Sequence, residues 1–185
     1  NQVGAVRGTT VTTVSADGLT KTIQQQLTGV GTTQSRTEDK TILHADGSRT
    51  REVRVTGAGD ILQDLAVWAS SDDGRETSLA LDINGDGSTD LRHSTVIGTD
   101  GATLETTRYN KADGTLLRGE EVSTSADGRT IVTKRDADGD GSTDLTLTTV
   151  RNADGSITET RLGASLAGVS AYKSVSRREI DLDGG

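Results

Sequence analysis

The 185-residue chain contains no cysteine, proline, methionine or phenylalanine, and it has only three aromatic residues. Without cysteine, the chain offers no disulfide framework, no thiolate zinc site and no thiol nucleophile. Its hydrophobic share is 30% and its aromatic share only 2%, so we expect no thick apolar core. No apolar run approaches the roughly 20 residues of a membrane-spanning helix, and we therefore expect no membrane insertion.

Acidic side chains outnumber basic ones by 28 to 20, which gives a net charge of −8 at pH 7. Because this charge repels phosphate groups, we expect no nucleic-acid partner. The chain has two histidines, His44 and His93. Its sequence contains no nucleophile elbow, P-loop or dinucleotide fingerprint. Paired carboxylates can cleave glycosides, but Trp68, Tyr109 and Tyr172 are too few aromatics to line a sugar cleft. The sequence therefore predicts that the chain is not an enzyme.

Asp-Gly pairs recur along the chain, and from Asp73 to Asp154 their spacing alternates between 13 and 14 residues. Both residue types tolerate the positive φ that tight turns need. Between the pairs, apolar and polar side chains alternate, as in 49–55, which is the period of a half-buried strand. Trp68 alternates with neighbours in the same way, and we expect it to be a buried anchor of its strand. The absence of proline agrees with paired strands.

The repeats therefore predict an all-β fold: an elongated array of antiparallel strands joined by Asp-Gly turns and coiled into a solenoid or a spiral sheet. Blades of a β-propeller are the alternative, because they also contain four strands per repeat. The two spacings predict two kinds of turn, one on each rim of the sheet, where a rim is the line of turns at one end of the strands. One rim would carry Asp73, Asp100, Asp127 and Asp154, and the other Asp60, Asp86, Asp113 and Asp140.

A longer period is visible in the segment 82–90, which recurs as 136–144, 54 residues later. It divides a single array that spans the whole chain into units 15–70, 71–124 and 125–185, and we expect this array to be a slice of a longer protein. Because each unit has little apolar material, its neighbours would stabilise it. The predicted partners are neighbouring repeats of the same chain, or other copies joined end to end through open strand edges.

The two recurring segments match the pattern of calcium loops, in which residues with oxygen ligands occupy positions 1, 3, 5, 7 and 9. The first loop supplies Asp82, Asn84, Asp86, Ser88 and Asp90. The second supplies Asp136, Asp138, Asp140, Ser142 and Asp144. Gly87 and Gly141 stand at position 6, where a calcium loop turns sharply. Ca²⁺ takes six to eight oxygen ligands, and the serine at position 7 would contribute its backbone carbonyl.

The bidentate glutamate that a helix–loop–helix site carries at position 12 is replaced here by His93 and Leu147. This departure favours a loop between two strands and an affinity of ~10⁻⁴–10⁻³ M. The alternative is that the loops are ordinary polar turns, although clustering so many unpaired carboxylates is repulsive. The pairs Asp60/Asp64 and Asp181/Asp183 are candidates for further sites, whereas the loop 26–34 has no acidic ligand and is predicted to be free of metal.

Several phrases resemble the tandem repeats of giant secreted proteins of alphaproteobacteria, which are grouped with hemolysin-type (RTX) calcium-binding proteins and adhesins. The phrases are Ser-Ala-Asp-Gly-Arg-Thr from Ser125, Asn-Ala-Asp-Gly-Ser from Asn152 and the two acidic loops. The resemblance implies export from the cell and calcium-assisted folding outside it. The hairpins are also similar to YD-repeat shells, and the acidic loops to those of FG-GAP propeller blades.

Taken together, the repeats and loops predict a calcium-binding structural module: a spacer, stalk or filament segment of a secreted or bacterial cell-surface protein. The alternative is an accessory module of a secreted enzyme that binds a surface polysaccharide or another ligand.

Overall fold

The computed structural model describes residues 8–27, 33–163 and 172–179. Within these ranges the regular structure consists of thirteen β-strands and one 3₁₀ turn at Ala58–Asp60. The described strands pair in sequence order and antiparallel within each of the two units of the chain. The predicted all-β array of antiparallel strands is therefore confirmed. The strands are β1 (Gly8–Val14), β2 (Thr20–Leu27), β3 (Thr33–Leu43), β4 (Arg49–Gly57), β5 (Leu62–Ser70), β6 (Glu76–Asp82), β7 (Leu91–Ile97), β8 (Thr103–Asn110), β9 (Leu116–Thr124), β10 (Thr130–Asp136), β11 (Leu145–Arg151), β12 (Ile157–Gly163) and β13 (Tyr172–Arg178).

The chain divides into two compact units, residues 1–91 and residues 92–185. In the first unit, each strand from β1 to β5 pairs with the strand that follows it, as far as β6. In the second unit, β8 to β13 pair in the same consecutive way. The three sequence units 15–70, 71–124 and 125–185 stay a prediction.

The sheet has almost no buried apolar side chains in the part of the chain that the structure describes. Ala66, at 7% exposure, is the one apolar residue that is buried there. Trp68 is 37% exposed, so the expectation of a buried anchor is wrong. Its ring lies beside the guanidinium of Arg51, 5.3 Å from the ring centroid, and Arg51 forms two hydrogen bonds with Asp39. In the described part of the chain, a charged neighbour rather than an apolar core thus packs against the indole.

Asp-Gly turns join the strands as predicted, and they close in two ways. In the short form, Gly47 N–H donates to the carbonyl of His44 (3.0 Å) and His44 N–H donates to that of Ser48 (2.9 Å). In the long form, one more residue is included, and Ser15 N–H donates to the carbonyl of Thr20 (2.9 Å). The Ser15 hydroxyl accepts the N–H of Thr20 at 2.9 Å. Short turns recur at 98–102, 111–115 and 152–156, and long turns at 71–76 and 125–130.

The prediction that each rim has its own kind of turn is wrong. The β1–β2 turn is long and the β3–β4 turn is short, yet both lie on the same rim of the first unit. The kind of turn follows its first residue, because a serine there has a hydroxyl that can accept the N–H of the longer turn. The assignment of the Asp-Gly pairs to alternate rims holds within each unit, since consecutive strands are antiparallel.

Candidate metal centre

Both acidic loops sit beside a β-bulge, and the two bulges have the same form. Opposite the end of β4, the register of β5 shifts from Asp64 to Leu62 and leaves one extra residue. Opposite the end of β8, the register of β9 shifts in the same way from Arg118 to Leu116. Each acidic loop begins at the end of the strand that follows the bulged strand. The bulges therefore determine which backbone groups each loop meets.

A glycine at position 4 of each loop packs directly on the bulged strand. In the second loop, Gly139 has a φ of +80°, and a Cβ at this position would overlap the carbonyl oxygen of Leu116. In the first loop, Gly85 has a φ of +73°, and its Cβ would overlap the carbonyl oxygen of Leu62. Only glycine fits such an approach with a positive φ. Sequence analysis missed these two residues, although the shared Gly at position 4 was the signal.

In the second loop, the carboxylate of Asp136 holds the chain in a curve. One oxygen accepts the N–H of Gly139 at 2.7 Å, and the other accepts the N–H of Gly141 at 2.9 Å. Desolvation raises the pKa of Asp136, but the N–H groups of these glycines, Asp138 and Asp140 together outweigh it and hold the pKa below its ordinary value. The carboxylate is therefore ionised at neutral pH, as a metal ligand must be.

The other carboxylates of the second loop also accept backbone N–H groups. Asp138 accepts from Asp140 at 3.2 Å, and Asp140 accepts from Ser142 at 2.7 Å. Asp144 accepts the N–H of Ala137 at 2.6 Å, which closes the loop across its ends. The chain thus turns its N–H groups toward the carboxylates at several points, and the loop is shaped by its own acidic side chains.

Three of these carboxylates come together in one cluster. Asp136, Asp138 and Asp144 each offer an oxygen, and the three oxygens lie within 4.8 Å of one another. Oxygens that share one Ca²⁺ at 2.3–2.6 Å can be at most about 5.2 Å apart, so the cluster is compact enough for a metal ion. Asp138 is exposed, whereas Asp144 is only 8% exposed. The cluster is therefore open to solvent on one side and held by the sheet on the other.

The carboxylate of Asp140, the fourth acidic residue of this loop, is not part of the cluster. It accepts the N–H of Ser142. Of the four carboxylates that the sequence predicts as ligands of this loop, the structure thus brings three together.

The first loop repeats the same hydrogen-bond pattern with one substitution. Asp82, at 5% exposure, accepts the N–H groups of Gly85 (2.6 Å) and Gly87 (2.9 Å). The remaining bonds run from Asp86 N–H to Asn84 (2.9 Å), from Ser88 N–H to Asp86 (2.7 Å) and from Ile83 N–H to Asp90 (2.7 Å). Because position 3 is an amide, the loop has one carboxylate fewer. In the described ranges, the second loop alone gathers three acidic ligands.

Among the described residues, the structure shows no such cluster at the other candidate metal sites. Asp60 lies in the 3₁₀ turn with a φ of +59°, and Asp64 lies on β5. Neither belongs to a group of three potential ligands among the residues that the structure describes. The pair Asp181/Asp183 lies outside the described residues, as does most of the loop 26–34.

A groove of about 450 Å³ adjoins the second loop on one face of the sheet. Its lining includes Tyr109, Arg118, Glu120, Arg135 and Asp136. The guanidinium of Arg118 lies 4.2 Å from the centroid of the Tyr109 ring, and Arg135 forms an ion pair with Glu120 at 2.5 Å. One face of the tyrosine ring is therefore already occupied by a cation.

Within the described residues, no helix has the length and apolar character needed to cross a bilayer. No protein-family model matches the chain, and neither a curated protein nor a solved structure matches it.

Proposed function

We propose that this chain is a calcium-binding structural repeat module, in which Ca²⁺ binds the acidic loops and stiffens a thin β-sheet. The observation that carries the proposal is the cluster of Asp136, Asp138 and Asp144, with oxygens within 4.8 Å of one another. Ca²⁺ suits hard oxygen ligands in a flexible loop, whereas Mg²⁺ prefers to keep its water molecules. Asp140 and the carbonyl of Ser142 would complete the site when the ion draws the loop together.

The first loop is proposed as a second, weaker calcium site. Its ligands would be Asp82, Asn84, Asp86, the carbonyl of Ser88 and Asp90. The amide of Asn84 supplies an oxygen but no charge. A lower charge on the loop weakens attraction for a divalent cation, so this loop would fill at a higher calcium concentration.

The small number of buried apolar side chains in the described sheet supports the structural role. With one buried apolar residue in the described ranges, the strands rely on backbone hydrogen bonds and on neighbouring strands. An ion that binds only the folded loop stabilises the fold by about 1.4–2.7 kcal/mol at 10 to 100 times its dissociation constant. This contribution is a substantial fraction of the roughly 5–15 kcal/mol that stabilises a typical domain.

We further propose that the chain is a spacer, stalk or filament segment of a secreted or bacterial cell-surface protein, where calcium reaches millimolar levels. In this proposal the strands coil into an elongated solenoid or a spiral sheet. A β-propeller is the rival arrangement, and small-angle X-ray scattering separates a rod from a compact disc. The resemblance to hemolysin-type secreted proteins supports the location.

A second candidate function is the binding of a polysaccharide by an accessory module of a secreted enzyme. The groove beside Asp136, with Tyr109 and Arg118 in its lining, favours it. The stacking of Arg118 on Tyr109 weighs against a free sugar platform. A glycan array with and without EGTA would separate the two functions, because calcium-dependent retention of a glycan supports the accessory role.

The test of calcium binding is a calorimetric titration with Ca²⁺, accompanied by thermal melts in Ca²⁺ and in EGTA. We expect Asp86→Ala and Asp140→Ala each to reduce the rise in melting temperature that Ca²⁺ causes, and to change the melt in EGTA little. Asp138→Ala should act in the same way, because its exposed carboxylate accepts a single long hydrogen bond at 3.2 Å.

Asp127→Ala is the matched control, because Asp127 closes an Asp-Gly turn by accepting the N–H of Arg129 and the hydroxyl proton of Ser125. It should lower the melting temperature equally in Ca²⁺ and in EGTA. If Asp140→Ala behaved like this control, or if millimolar Ca²⁺ did not raise the melting temperature of wild type, the loops would be turns and not metal sites.

A further inference from the structure

The groove beside the second loop is lined by polar and charged side chains that share one face of the second unit. Residues directly opposite each other on antiparallel strands lie on the same face. The register pairs Thr107 with Glu120, Glu120 with Arg135, and Tyr109 with Arg118. All five residues line the groove, and its volume of about 450 Å³ lies within the range of ligand pockets.

The corresponding face of the first unit has different chemistry. Segments 49–90 and 103–144 correspond at an offset of 54 residues, with the same β-bulge and the same hydrogen bond across the preceding turn. The five groove positions correspond in the first unit to Val53, Val55, Asp64, Ala66 and Leu81. The face is therefore mostly apolar in the first unit and polar beside the second loop, on strands with the same pairing.

Arg118 is the cation of this groove that has no acidic partner among the described residues. Its guanidinium lies 4.2 Å from the centroid of the Tyr109 ring, and this stacking orients it. Arg135, in contrast, is paired with Glu120. A stacked guanidinium keeps the N–H groups in its plane available, and they form a fork that fits the two oxygens of a carboxylate.

The rest of the groove favours a ligand that donates hydroxyl protons. Glu120 and Thr107 offer oxygen atoms that accept hydrogen bonds. A sugar acid combines one carboxylate with several hydroxyl groups, so it matches one available cation beside oxygen acceptors. An acidic peptide carries more carboxylates and few hydroxyl groups, and Glu120 together with the acidic loop that begins at Asp136 would repel it.

We propose that this groove binds a uronic acid unit of an acidic polysaccharide. The carboxylate of the sugar binds the guanidinium of Arg118, and its hydroxyl groups donate to Glu120 and Thr107. Tyr109 orients the guanidinium and is not a stacking platform for the sugar. The inference rests on the second candidate function, the accessory role, and names its ligand. It requires no ion in either acidic loop.

An NMR titration of the ¹⁵N-labelled chain with digalacturonic acid tests the proposal, in Ca²⁺ and in EGTA. The side-chain Nε–H signal of Arg118 reports on the guanidinium directly. We expect this signal to shift and saturate with digalacturonic acid. The neutral disaccharide of galactose keeps most of the hydroxyl groups but lacks the carboxylates, and it should bind at least about tenfold more weakly.

Variants of Arg118 separate binding from folding. Arg118→Asp introduces the residue that the first unit carries as Asp64 beside the same bulge, so the strand accommodates it. This variant should lose at least about tenfold in affinity for digalacturonic acid and keep the melting temperature of wild type. Arg118→Lys keeps the charge but lacks the planar fork, and it should bind more weakly than wild type.

Arg129→Gln is the matched control for the loss of a positive charge. Arg129 is exposed and lies in the β9–β10 turn, on the rim opposite the second loop. Its backbone N–H, which donates to Asp127, is kept in the variant. The affinity for digalacturonic acid should equal that of wild type.

Four results would overturn the proposal. They are the absence of a saturable shift with digalacturonic acid, equal affinity of Arg118→Asp and wild type, equal affinity for the neutral disaccharide, and tighter binding of a glutamate-rich peptide. The last would assign the groove to a protein partner. Retention of neutral glycans alone on the array would keep the accessory role and reject this ligand. Because each comparison is repeated in EGTA, the calcium-binding function fails or stands separately.

Discussion

Aspartate serves two purposes in this chain, and its hydrogen bonds distinguish them. Asp127 binds Ser125 and the N–H of Arg129, and so closes a turn of a few residues. Asp136 binds two glycine N–H groups three and five residues ahead, and so curves a longer loop. In the second arrangement, the carboxylates of Asp138 and Asp144 lie beside that of Asp136. The same side chain thus forms a turn in one context and a ligand cluster in the other.

Gly139→Ala should destabilise the chain more than Gly128→Ala. Both glycines have positive φ, +80° and +67°, and alanine costs ~1–2 kcal/mol in that conformation. A Cβ at Gly128 meets nothing within 4 Å, whereas at Gly139 it would overlap the carbonyl of Leu116. Overpacking adds ~1–3 kcal/mol. Chemical denaturation in EGTA measures both losses, and equal values would show that the loop does not rest on the bulge of β9.

At the scale of the hairpin, the long turns link a serine, an aspartate and the start of the next strand. In the β5–β6 turn, Ser71 donates its hydroxyl to Asp73 (2.7 Å) and accepts the N–H of Glu76 (3.0 Å). Asp73 also accepts the N–H of Arg75 at 3.0 Å. The hydroxyl of Ser71, followed by that N–H, lowers the pKa of Asp73 below its ordinary value of 3.8. The β9–β10 turn uses Ser125 and Asp127 in the same way.

These turns predict loss of stability in acid. Because the pKa of Asp73 and Asp127 is lower in the folded chain than in the unfolded chain, protonation favours unfolding. The melting temperature in EGTA should therefore be level above pH 5 and fall as the pH drops through 3.8 toward the folded pKa. The double variant Asp73→Asn/Asp127→Asn keeps an oxygen acceptor in each turn but cannot titrate.

The double variant should lose less of its melting temperature between pH 5 and pH 3 than wild type does. Part of the fall should remain, because Asp17, Asp46, Asp113 and Asp154 also have lowered pKa values from similar turn contacts. Identical acid profiles for the variant and wild type would contradict the role of these turns.

At the scale of the whole molecule, the described chain is a sheet with little apolar interior. Its ion pairs, such as Arg135 with Glu120 and Arg51 with Asp39, lie on solvent-exposed faces. Exposed pairs of this kind contribute about 0–1 kcal/mol each. These ion pairs therefore contribute little to the folding free energy.

The heat capacity of unfolding should be small for a chain of this length. It arises mainly from apolar surface that becomes exposed, and average domains gain ~12–15 cal/mol/K per residue. Because Ala66 is the single buried apolar residue in the described ranges, we expect a value per residue below that average. Differential scanning calorimetry at several pH values measures it. A value at or above the average would indicate a buried apolar surface that this sheet lacks.

The sequence by itself determined the strands and the turns, because both depend on patterns of neighbouring residues. Alternation with a period of two gives strands, and Asp-Gly gives turns at any point in a chain. The acidic loops were recognisable for the same reason, since their ligands lie within nine residues.

Only the tertiary structure decided which oxygens meet and what each face touches. Asp136, Asp138 and Asp144 converge, whereas the carboxylate of Asp140 accepts the N–H of Ser142. The loop itself lies against the bulge of β9, where Gly139 approaches the carbonyl of Leu116. Trp68 is exposed for a similar reason: the alternation that marks it as one side of a strand carries no information on whether another layer covers that side. Distances between residues on different strands depend on the register, and one strand's sequence does not contain it.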